Sequence, residues 1–178
     1  MKKGNGKSKG NAFERKVAGL LDDWWKVPKN TFWRTVNSGG WRQPGDLAPR
    51  ILSGVEPMQF PFVVECKFYH TVDFWEVLKE KKTAKLSVWW KQLNKEKLQY
   101  SDSNKVCRLL IFKQNFSPIC VGFSINEIGR FINCPVDPSI INVLTCIKLT
   151  IDNSGERIII TPWKDFTRYY PKEIFIRL

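Results

Sequence analysis

Two charged side chains occupy a segment whose other residues are almost all apolar. Glu65 and Lys67 lie in the run FPFVVECK at residues 60–67, whose composition is typical of a buried strand. Side chains alternate between the two faces of a strand, so Glu65 and Lys67 point one way and Cys66 points the other. A buried charge is costly unless it is paired or coordinates a metal. The sequence therefore predicts a functional role for this pair.

A second acid precedes the strand. Asp46 follows Gly45 at the end of QPG, a turn segment at residues 43–45. Because His70 is the one histidine of the chain, a metal held here would need oxygen ligands, which Mg²⁺ and Mn²⁺ prefer. Two carboxylates and a lysine in this order are the parts of a magnesium-dependent site that cleaves phosphodiester bonds.

The overall charge indicates the class of partner. The 178 residues carry a formal net charge of +12, which favours a nucleic acid or an anionic membrane surface and says little about the fold. No stretch approaches the ~20 apolar residues of a membrane span, and residues 1–10 lack the apolar core of a signal peptide. We therefore expect no membrane partner and, by default, a cytoplasmic location.

The cysteines predict neither a disulfide framework nor a zinc site. Their number is odd, no two of them are spaced as a zinc-binding CxxC pair, and most of them lie in apolar runs. Buried free thiols are the simpler interpretation of Cys66, Cys107, Cys120, Cys134 and Cys146.

Hydrophobic periodicity predicts an α/β fold with a mixed sheet. Helices are expected at about 11–26, 72–82, 85–100 and 125–132. Strands are expected at about 31–36, 46–52, 60–69, 105–113, 118–123, 140–152, 156–163 and 174–178. The strands on either side of the NSG turn at residues 153–155 are expected to form a hairpin.

The motifs, in this order, resemble those of the PD-(D/E)XK nucleases. The resemblance rests on GNAFER at 10–15, SGG at 38–40, GD at 45–46 and VECK at 64–67, and it covers about residues 7–100. Within that superfamily the chain is most similar to the archaeal Holliday junction resolvases. This implies a restriction-endonuclease-like core, in which helices flank a central mixed β-sheet, with extra C-terminal strands.

The chain is expected to divide into an arm and one domain. Residues 1–10, rich in lysine and glycine, should form a flexible basic arm, and residues 11–178 a single nuclease domain. Within that domain we expect a core to about residue 123 and a C-terminal elaboration over 124–178, where no motif is recognisable.

The resemblance implies a role for each residue of the two central motifs. Asp46 and Glu65 would bind the Mg²⁺ or Mn²⁺ ion, with the backbone carbonyl of Cys66 as a further ligand. Lys67 would position or help deprotonate the attacking water and stabilise the charged transition state. Gly45 stands where the superfamily has proline, so the aspartate is assigned from an altered form of its motif.

Two further residues have simpler alternative roles. In the resemblance Glu14 would complete the acidic site, but it could instead be the reciprocal carboxylate of a capping box begun by Asn11. Gln92 corresponds to a polar position that faces the site in several branches of the superfamily, and it could instead be a solvated helix residue. Taken in isolation, Glu65 and Lys67 could form an ordinary same-face ion pair.

Basic and aromatic residues predict a DNA-binding surface and a dimer contact. Lysines of the middle helices are expected to contact phosphates, and Trp41 could stack on a distorted base. Because Trp89 and Trp90 cannot both face one side of a helix, one of them is expected to be exposed, as an apolar contact of a two-fold homodimer. The expected DNA contacts are Lys7, Lys9, Arg15, Arg34, Trp41, Arg42, Lys91 and Lys95.

The sequence thus predicts a metal-dependent DNA endonuclease that acts on branched DNA, such as a four-way junction, as a homodimer. One alternative is another nuclease of the superfamily, acting in restriction, DNA repair or end processing. A different class of alternative is a nucleic-acid-binding protein that keeps a degenerate, non-catalytic form of the fold.

Overall fold

One mixed β-sheet with helices on both faces organises the protein, which confirms the predicted α/β fold. The computed structural model describes residues 5–35, 44–50, 58–79, 83–131, 145–151 and 156–175. Within these ranges the strands are β1 (Phe32–Arg34), β2 (Leu47–Pro49), β3 (Phe62–Tyr69), β4 (Cys107–Gln114), β5 (Cys120–Ser124), β6 (Ile147–Ile151) and β7 (Glu156–Pro162). The helices are α1 (Asn5–Trp25), α2 (Trp75–Leu78), α3 (Lys85–Lys97), α4 (Ile125–Phe131) and α5 (Trp163–Tyr169).

The order of strands across the sheet is β1-β2-β3-β4-β5-β7-β6. Strands β3 and β4 run parallel, and the other neighbouring pairs are antiparallel. A parallel pair needs a crossover connection, and here α2 and α3 lie between the two strands in the chain. The crossover places α3 against the sheet beside the strand that carries Glu65. The antiparallel pairing of β6 with β7 confirms the predicted hairpin, whose turn at 153–155 lies outside the described residues.

Each face of the sheet has its own hydrophobic core. The first face packs against α1, α4 and α5, and the second face packs against α2 and α3. Strand β3 contributes to both, because Val64 and Cys66 join the first core while Val63 joins the second. Glu65 therefore projects from the second face, towards α3, as the strand alternation predicts.

Helix α1 begins at Asn5, so the predicted start at residue 11 is wrong, and residues 5–10 of the expected flexible arm are helical. Phe13, Val17 and Leu21 bury the same side of this helix in the first core. Once packing has fixed a helix, each added residue gains a backbone hydrogen bond. This gain offsets the low helix propensity of glycine in the segment NGKSKG, which costs about 1 kcal/mol per glycine relative to alanine.

The C-terminal segment differs from the prediction. Helix α5 was not predicted, and Ile174 ends a 3₁₀ turn over Lys172–Ile174 where the prediction has an edge strand begin. Phe166 and Phe175 anchor these elements in the first core, so tertiary packing decides a segment whose apolar residues are too few to show a periodicity. Residues 176–178 lie outside the described part of the chain.

Trp89 and Trp90 are both buried, so the prediction that one of them is exposed is wrong. The Trp89 ring packs against Tyr69, whereas Trp90 lies under the Arg108 guanidinium, 4.4 Å from its ring centroid. Strands β4, β6 and β7 extend the second face far enough to cover both flanks of α3. Trp24, on α1, is buried in the first core.

The cysteines that the structure describes are free thiols, as expected, and they vary in burial. Cys66 and Cys107 are buried, and Cys120 and Cys146 are half-buried, while Cys134 lies outside the described residues. Among the described helices, none combines the length and the apolar character that crossing a membrane requires.

A buried ionic network ties α3 to β4 and α4. Glu127 accepts hydrogen bonds from Lys97 Nζ at 2.6 Å, from the Arg108 backbone nitrogen at 2.9 Å and from Arg108 Nε at 3.0 Å. The guanidinium of Arg108 also pairs with Glu156 on β7. Because these charges are paired and hydrogen-bonded, the network holds the C-terminal end of α3 in place.

Replacing Glu127 by glutamine should destabilise the fold, because it removes the counter-charge of the buried Lys97 and one of the two counter-charges of Arg108. Such a loss costs about 3 kcal/mol, a fall of roughly 10 °C in melting temperature for a chain of this length. Thermal denaturation followed by circular dichroism measures it. The matched control is Glu173→Gln, which breaks an exposed pair with Lys26 and should change little. Equal melting temperatures for the two variants would contradict the structural role.

Candidate active site

Strands β2 and β3 bring Asp46 and Glu65 together under α3. Asp46 immediately precedes β2, and its backbone nitrogen donates to Val64 O at 2.7 Å. Its side-chain Oδ2 accepts a hydrogen bond from the Cys66 backbone nitrogen at 2.8 Å. The aspartate is thereby held at both its backbone and its carboxylate against the middle of β3.

Gly45 explains why this chain departs from the proline of the superfamily motif. Its φ of +88° lies in the left-handed region, whereas proline is restricted to about −65°. A Cβ atom at this position would lie 2.9 Å from the carbonyl oxygen of Val64. Only glycine therefore fits the close approach of this turn to β3. The turn fixes which residue of β3 lies next to Asp46.

Glu65 is completely buried, with 0% of its surface exposed. Its Oε1 atom pairs with Lys67 and accepts a hydrogen bond from Gln92 Nε2 at 2.8 Å. Its Oε2 atom is buried and has no hydrogen-bond partner among the described residues. The carboxylate is thus half-satisfied, which is the costly arrangement for a buried acid.

Burial disfavours the ionisation of both acids, and the charge of Asp46 further disfavours that of Glu65. Burial and the nearby charge of Asp46 raise the pKa of Glu65 to about 8, although Lys67 opposes this shift. Burial also raises the pKa of Asp46 to about 6, against the lowering effects of the Cys66 amide and of Lys67. A divalent cation placed between the carboxylates would reverse both shifts, because it favours their charged forms.

Lys67 remains an ammonium in this environment. Burial lowers its pKa, but the charges of Glu65 and Asp46 and the hydrogen bond to Glu65 outweigh burial, so the net shift is upward. A lysine whose pKa is raised holds its proton at neutral pH. This charge is compatible with the charge-stabilising part of the role that the motif implies, and both that part and the help in deprotonating water stay predictions.

Glu14 lies at the edge of the same acidic group, on α1. It pairs with Arg34, and Arg34 Nη2 also donates to Asn11 Oδ1 at 2.9 Å. Asn11 is an interior residue of α1, so it cannot begin a capping box, and that alternative for Glu14 is wrong. The charge of Glu14 contributes to the raised pKa of Asp46, which shows that the two carboxylates are near each other.

Two residues near the site were not predicted from the sequence. Glu96 on α3 accepts a hydrogen bond from Gln92 Nε2 at 3.1 Å, and its charge acts on both Asp46 and Glu65. Tyr100, just beyond α3, donates to Pro44 O at 3.4 Å and so contacts the Asp46 turn. The one available signal was the spacing of four residues from Gln92 to Glu96 and again to Tyr100, which aligns them along one side of a helix.

Asp46 and Glu65 fit a divalent cation. Within the described ranges no group of three or more histidine, cysteine, aspartate or glutamate residues could hold a metal ion, but Mg²⁺ needs only one or two protein carboxylates and takes its other ligands from water and phosphate. The partnerless Oε2 of Glu65 and the raised pKa values are what such a site shows without its ion. The Cys66 thiol faces the first core, and its carbonyl as a ligand stays a prediction.

The expected DNA contacts lie at different distances from this site. Arg34 pairs with Glu14 at the site itself, and Lys95 is exposed on the side of α3 that carries Gln92, three residues away. Lys91 is next to Gln92 in sequence and therefore points about 100° away around the helix. Exposed positions on α1 hold the lysines and arginine expected there, Lys7, Lys9 and Arg15. Trp41 and Arg42 lie outside the described residues.

A protein-family model extends the resemblance to nearly the whole chain. The model, described as "Phage putative PDDEXK endonuclease", matches residues 5–176. The chain belongs to this PD-(D/E)XK endonuclease family. The match includes the C-terminal strands in which no motif was recognised. Neither the curated proteins nor the solved structures contain a match to the chain, and the closer similarity to archaeal junction resolvases stays a prediction.

The stability of this PD-(D/E)XK endonuclease should depend on pH through Glu65 and Asp46. Both carboxyl groups keep their protons to higher pH in the folded protein than in the unfolded chain. Between about pH 4 and 8 the folded state therefore binds more protons, so the contribution of these groups to the free energy of unfolding falls as pH rises.

Glu65→Gln removes the larger of these titrations. In buffer with EDTA, its melting temperature relative to that of the wild type should rise by on the order of 5 °C from pH 5 to pH 8.5. Differential scanning calorimetry measures the difference, with Glu173→Gln as a control that should follow the wild type. A constant difference across this pH range would show that Glu65 ionises normally.

Proposed function

We propose that this chain hydrolyses phosphodiester bonds in DNA with Mg²⁺ or Mn²⁺ as its cofactor. The observation that carries the proposal is the fully buried carboxylate of Glu65, which faces Asp46 and leaves one oxygen without a partner. The family match supports endonuclease chemistry. The formal net charge of +12 supports a polyanionic substrate.

The side chains divide the work of such a reaction. A divalent ion held by Asp46 and Glu65 would polarise the phosphate and lower the pKa of a bound water. The Lys67 ammonium is placed to offset the charge that develops on the phosphate in the transition state. Gln92 orients the Glu65 carboxylate through its hydrogen bond, and the Cys66 amide orients Asp46.

The burial of the acids favours an enzyme over a binding protein with a degenerate site. Two carboxylates with raised pKa values destabilise the folded state at neutral pH. A protein that only binds DNA gains nothing from that cost, because phosphate contacts come from exposed cations. In a cation-dependent hydrolase, by contrast, the carboxylates that bind the ion lack a full set of partners until the ion is bound.

We further propose branched DNA as the substrate and a two-fold homodimer as the active unit. The support is the order of the GNAFER, SGG, GD and VECK motifs, which resembles that of the junction resolvases, and the symmetry of a four-way junction, whose two cuts match two identical sites. The burial of Trp89 and Trp90 removes them as a dimer contact. Restriction, repair and end-processing nucleases remain alternatives within the superfamily.

Cleavage should require the cation and Glu65. Purified protein with Mg²⁺ or Mn²⁺ should cut DNA, whereas EDTA or Glu65→Ala should reduce the rate at least about 10³-fold, because the cation loses a ligand and the phosphate its counter-charge. Gel electrophoresis of labelled DNA gives the rate, and a mobility-shift assay should show that Glu65→Ala still binds DNA.

The matched control is Glu173→Gln, which neutralises an exposed acid that pairs with Lys26 and should cut at the wild-type rate. Full activity in EDTA, or from Glu65→Ala, would overturn the proposed chemistry. Because Glu14 pairs with Arg34 at the acidic site, Glu14→Gln distinguishes a catalytic from a structural role. An unchanged melting temperature with lost cleavage would assign Glu14 to the reaction.

The substrate should be recognised by its shape. We expect a four-way junction to be cut at least ~10-fold faster than a linear duplex of equal length and composition, by a protein that light scattering shows to be a dimer. Flap and single-stranded DNA complete the panel. A monomer that cuts duplex as readily as junction would remove the resolvase assignment and leave the phosphodiester hydrolysis in place.

A further inference from the structure

Gln92 joins two carboxylates on the second face of the sheet. Its Nε2 donates to Glu65 Oε1 at 2.8 Å and to Glu96 Oε1 at 3.1 Å. One amide group thus uses both of its N–H bonds to hold two acids side by side. The family motifs place Glu65 and Gln92 here, but no motif includes Glu96.

The second oxygen of each of these carboxylates is an unsatisfied acceptor. Glu65 Oε2 and Glu96 Oε2 are both buried without a hydrogen-bond partner among the residues that the structure describes. Buried carboxylate oxygens without a donor are uncommon, because their desolvation is not repaid. Two of them on either side of a single amide indicate that a ligand with positive charge completes the group.

The charges of the group point to the same ligand. The charge of Glu96 acts on both Asp46 and Glu65, and the ammonium that pairs with Glu65 is Lys67. Three carboxylates against one ammonium leave excess negative charge in a partly buried place. The buried carboxylate of Glu127 differs, because both of its oxygens accept hydrogen bonds, from Lys97 and Arg108.

We propose that Glu96 is an outer carboxylate of this site, which acts on the divalent ion through an ion-bound water while Glu65 and Asp46 hold the ion. This inference rests on the proposed function, since it assumes that the acidic group binds a divalent ion. Gln92 then fixes one oxygen of Glu65 and one of Glu96, and leaves the other oxygen of each free to face the ion. Helix α3 is thereby part of the cation site and not only a cover for the sheet.

Binding of Mn²⁺ in the absence of DNA tests the assignment directly. Electron paramagnetic resonance of free Mn²⁺ gives the dissociation constant without any catalytic readout. Glu96→Gln should weaken Mn²⁺ binding about 10-fold or more, while Glu173→Gln should bind like the wild type. Glu96→Asp, which keeps the charge but withdraws the carboxylate by one methylene, should also weaken binding if Glu96 faces the ion.

A double-mutant cycle separates a direct role from an effect through Gln92. If Glu96 acts on the ion itself, Glu96→Gln should still weaken Mn²⁺ binding in a Gln92→Ala background. If Glu96 merely positions Gln92, its substitution should have no further effect in that background. That result would overturn the proposal, as would a dissociation constant for Glu96→Gln within twofold of the wild type.

The wild type and Glu65→Ala decide which hypothesis has failed. Mn²⁺ binding that is lost in Glu65→Ala but unchanged in Glu96→Gln would leave the proposed nuclease in place and remove only the role of Glu96. A wild-type protein that neither binds Mn²⁺ nor cuts DNA with it would overturn the proposed function and this inference together. Melting temperatures of all variants confirm that they are folded.

Discussion

The burial of one carboxylate, that of Glu65, constrains the surrounding structure. A strand at the centre of a sheet is covered on both faces, so a charge on it has no access to bulk water. Two neighbouring side chains compensate that charge in part, Lys67 of β3 and Gln92 of α3, whereas Asp46 beside β2 adds a second negative charge. Neither contact satisfies the carboxylate completely, and the remaining deficit is the basis of the proposed cation site.

A comparison of two buried acids, Glu127 and Glu65, shows why the incomplete compensation of the Glu65 charge is informative. Glu127 is buried too, but hydrogen bonds and charges from Arg108 and Lys97 outweigh that burial and lower its pKa. Burial and Asp46 instead raise the pKa of Glu65 to about 8. The contacts that Glu127 already makes stabilise its charged form, whereas the charged form of Glu65 would need a further positive charge to be stabilised. The proposed functional site is thus the place where a buried negative charge is not fully compensated by its neighbours.

Helix α3 links these two regions. Lys97 fixes the C-terminal end of the helix in the network with Glu127. Gln92 and Glu96, on the same helix, lie at the acidic site. Through Arg108 the network continues to Glu156 on β7, so the C-terminal strands support the position of the helix. The extension of the family match over these strands accords with that support. The C-terminal strands, which the sequence suggested were an elaboration of the core, thus belong to the same sheet as the strand that carries Glu65.

The sequence by itself determined the parts with local signals. Alternation in FPFVVECK was enough to place Glu65 and Lys67 on one face of a buried strand, and the order of elements was enough to predict a mixed sheet, because both follow from neighbouring residues and backbone geometry. The GD motif identified Asp46, although only the structure shows that the positive φ of Gly45 fixes its register. A single histidine restricted the metal to one with oxygen ligands.

The tertiary structure decided everything that depends on residues distant in the chain. The α1 helix extends to Asn5 because its apolar side is held by the sheet, which also excludes the capping role of Glu14. Trp89 and Trp90 are both buried because strands far along the chain widen the second face. Glu96 was not predicted from the sequence, because its spacing of four residues from Gln92 does not by itself distinguish a site residue from a solvated one. Gln92 connects the carboxylates of Glu96 and Glu65 only in the folded protein, where α3 packs against β3. The burial that raises the pKa of Glu65 likewise exists only in the packed protein.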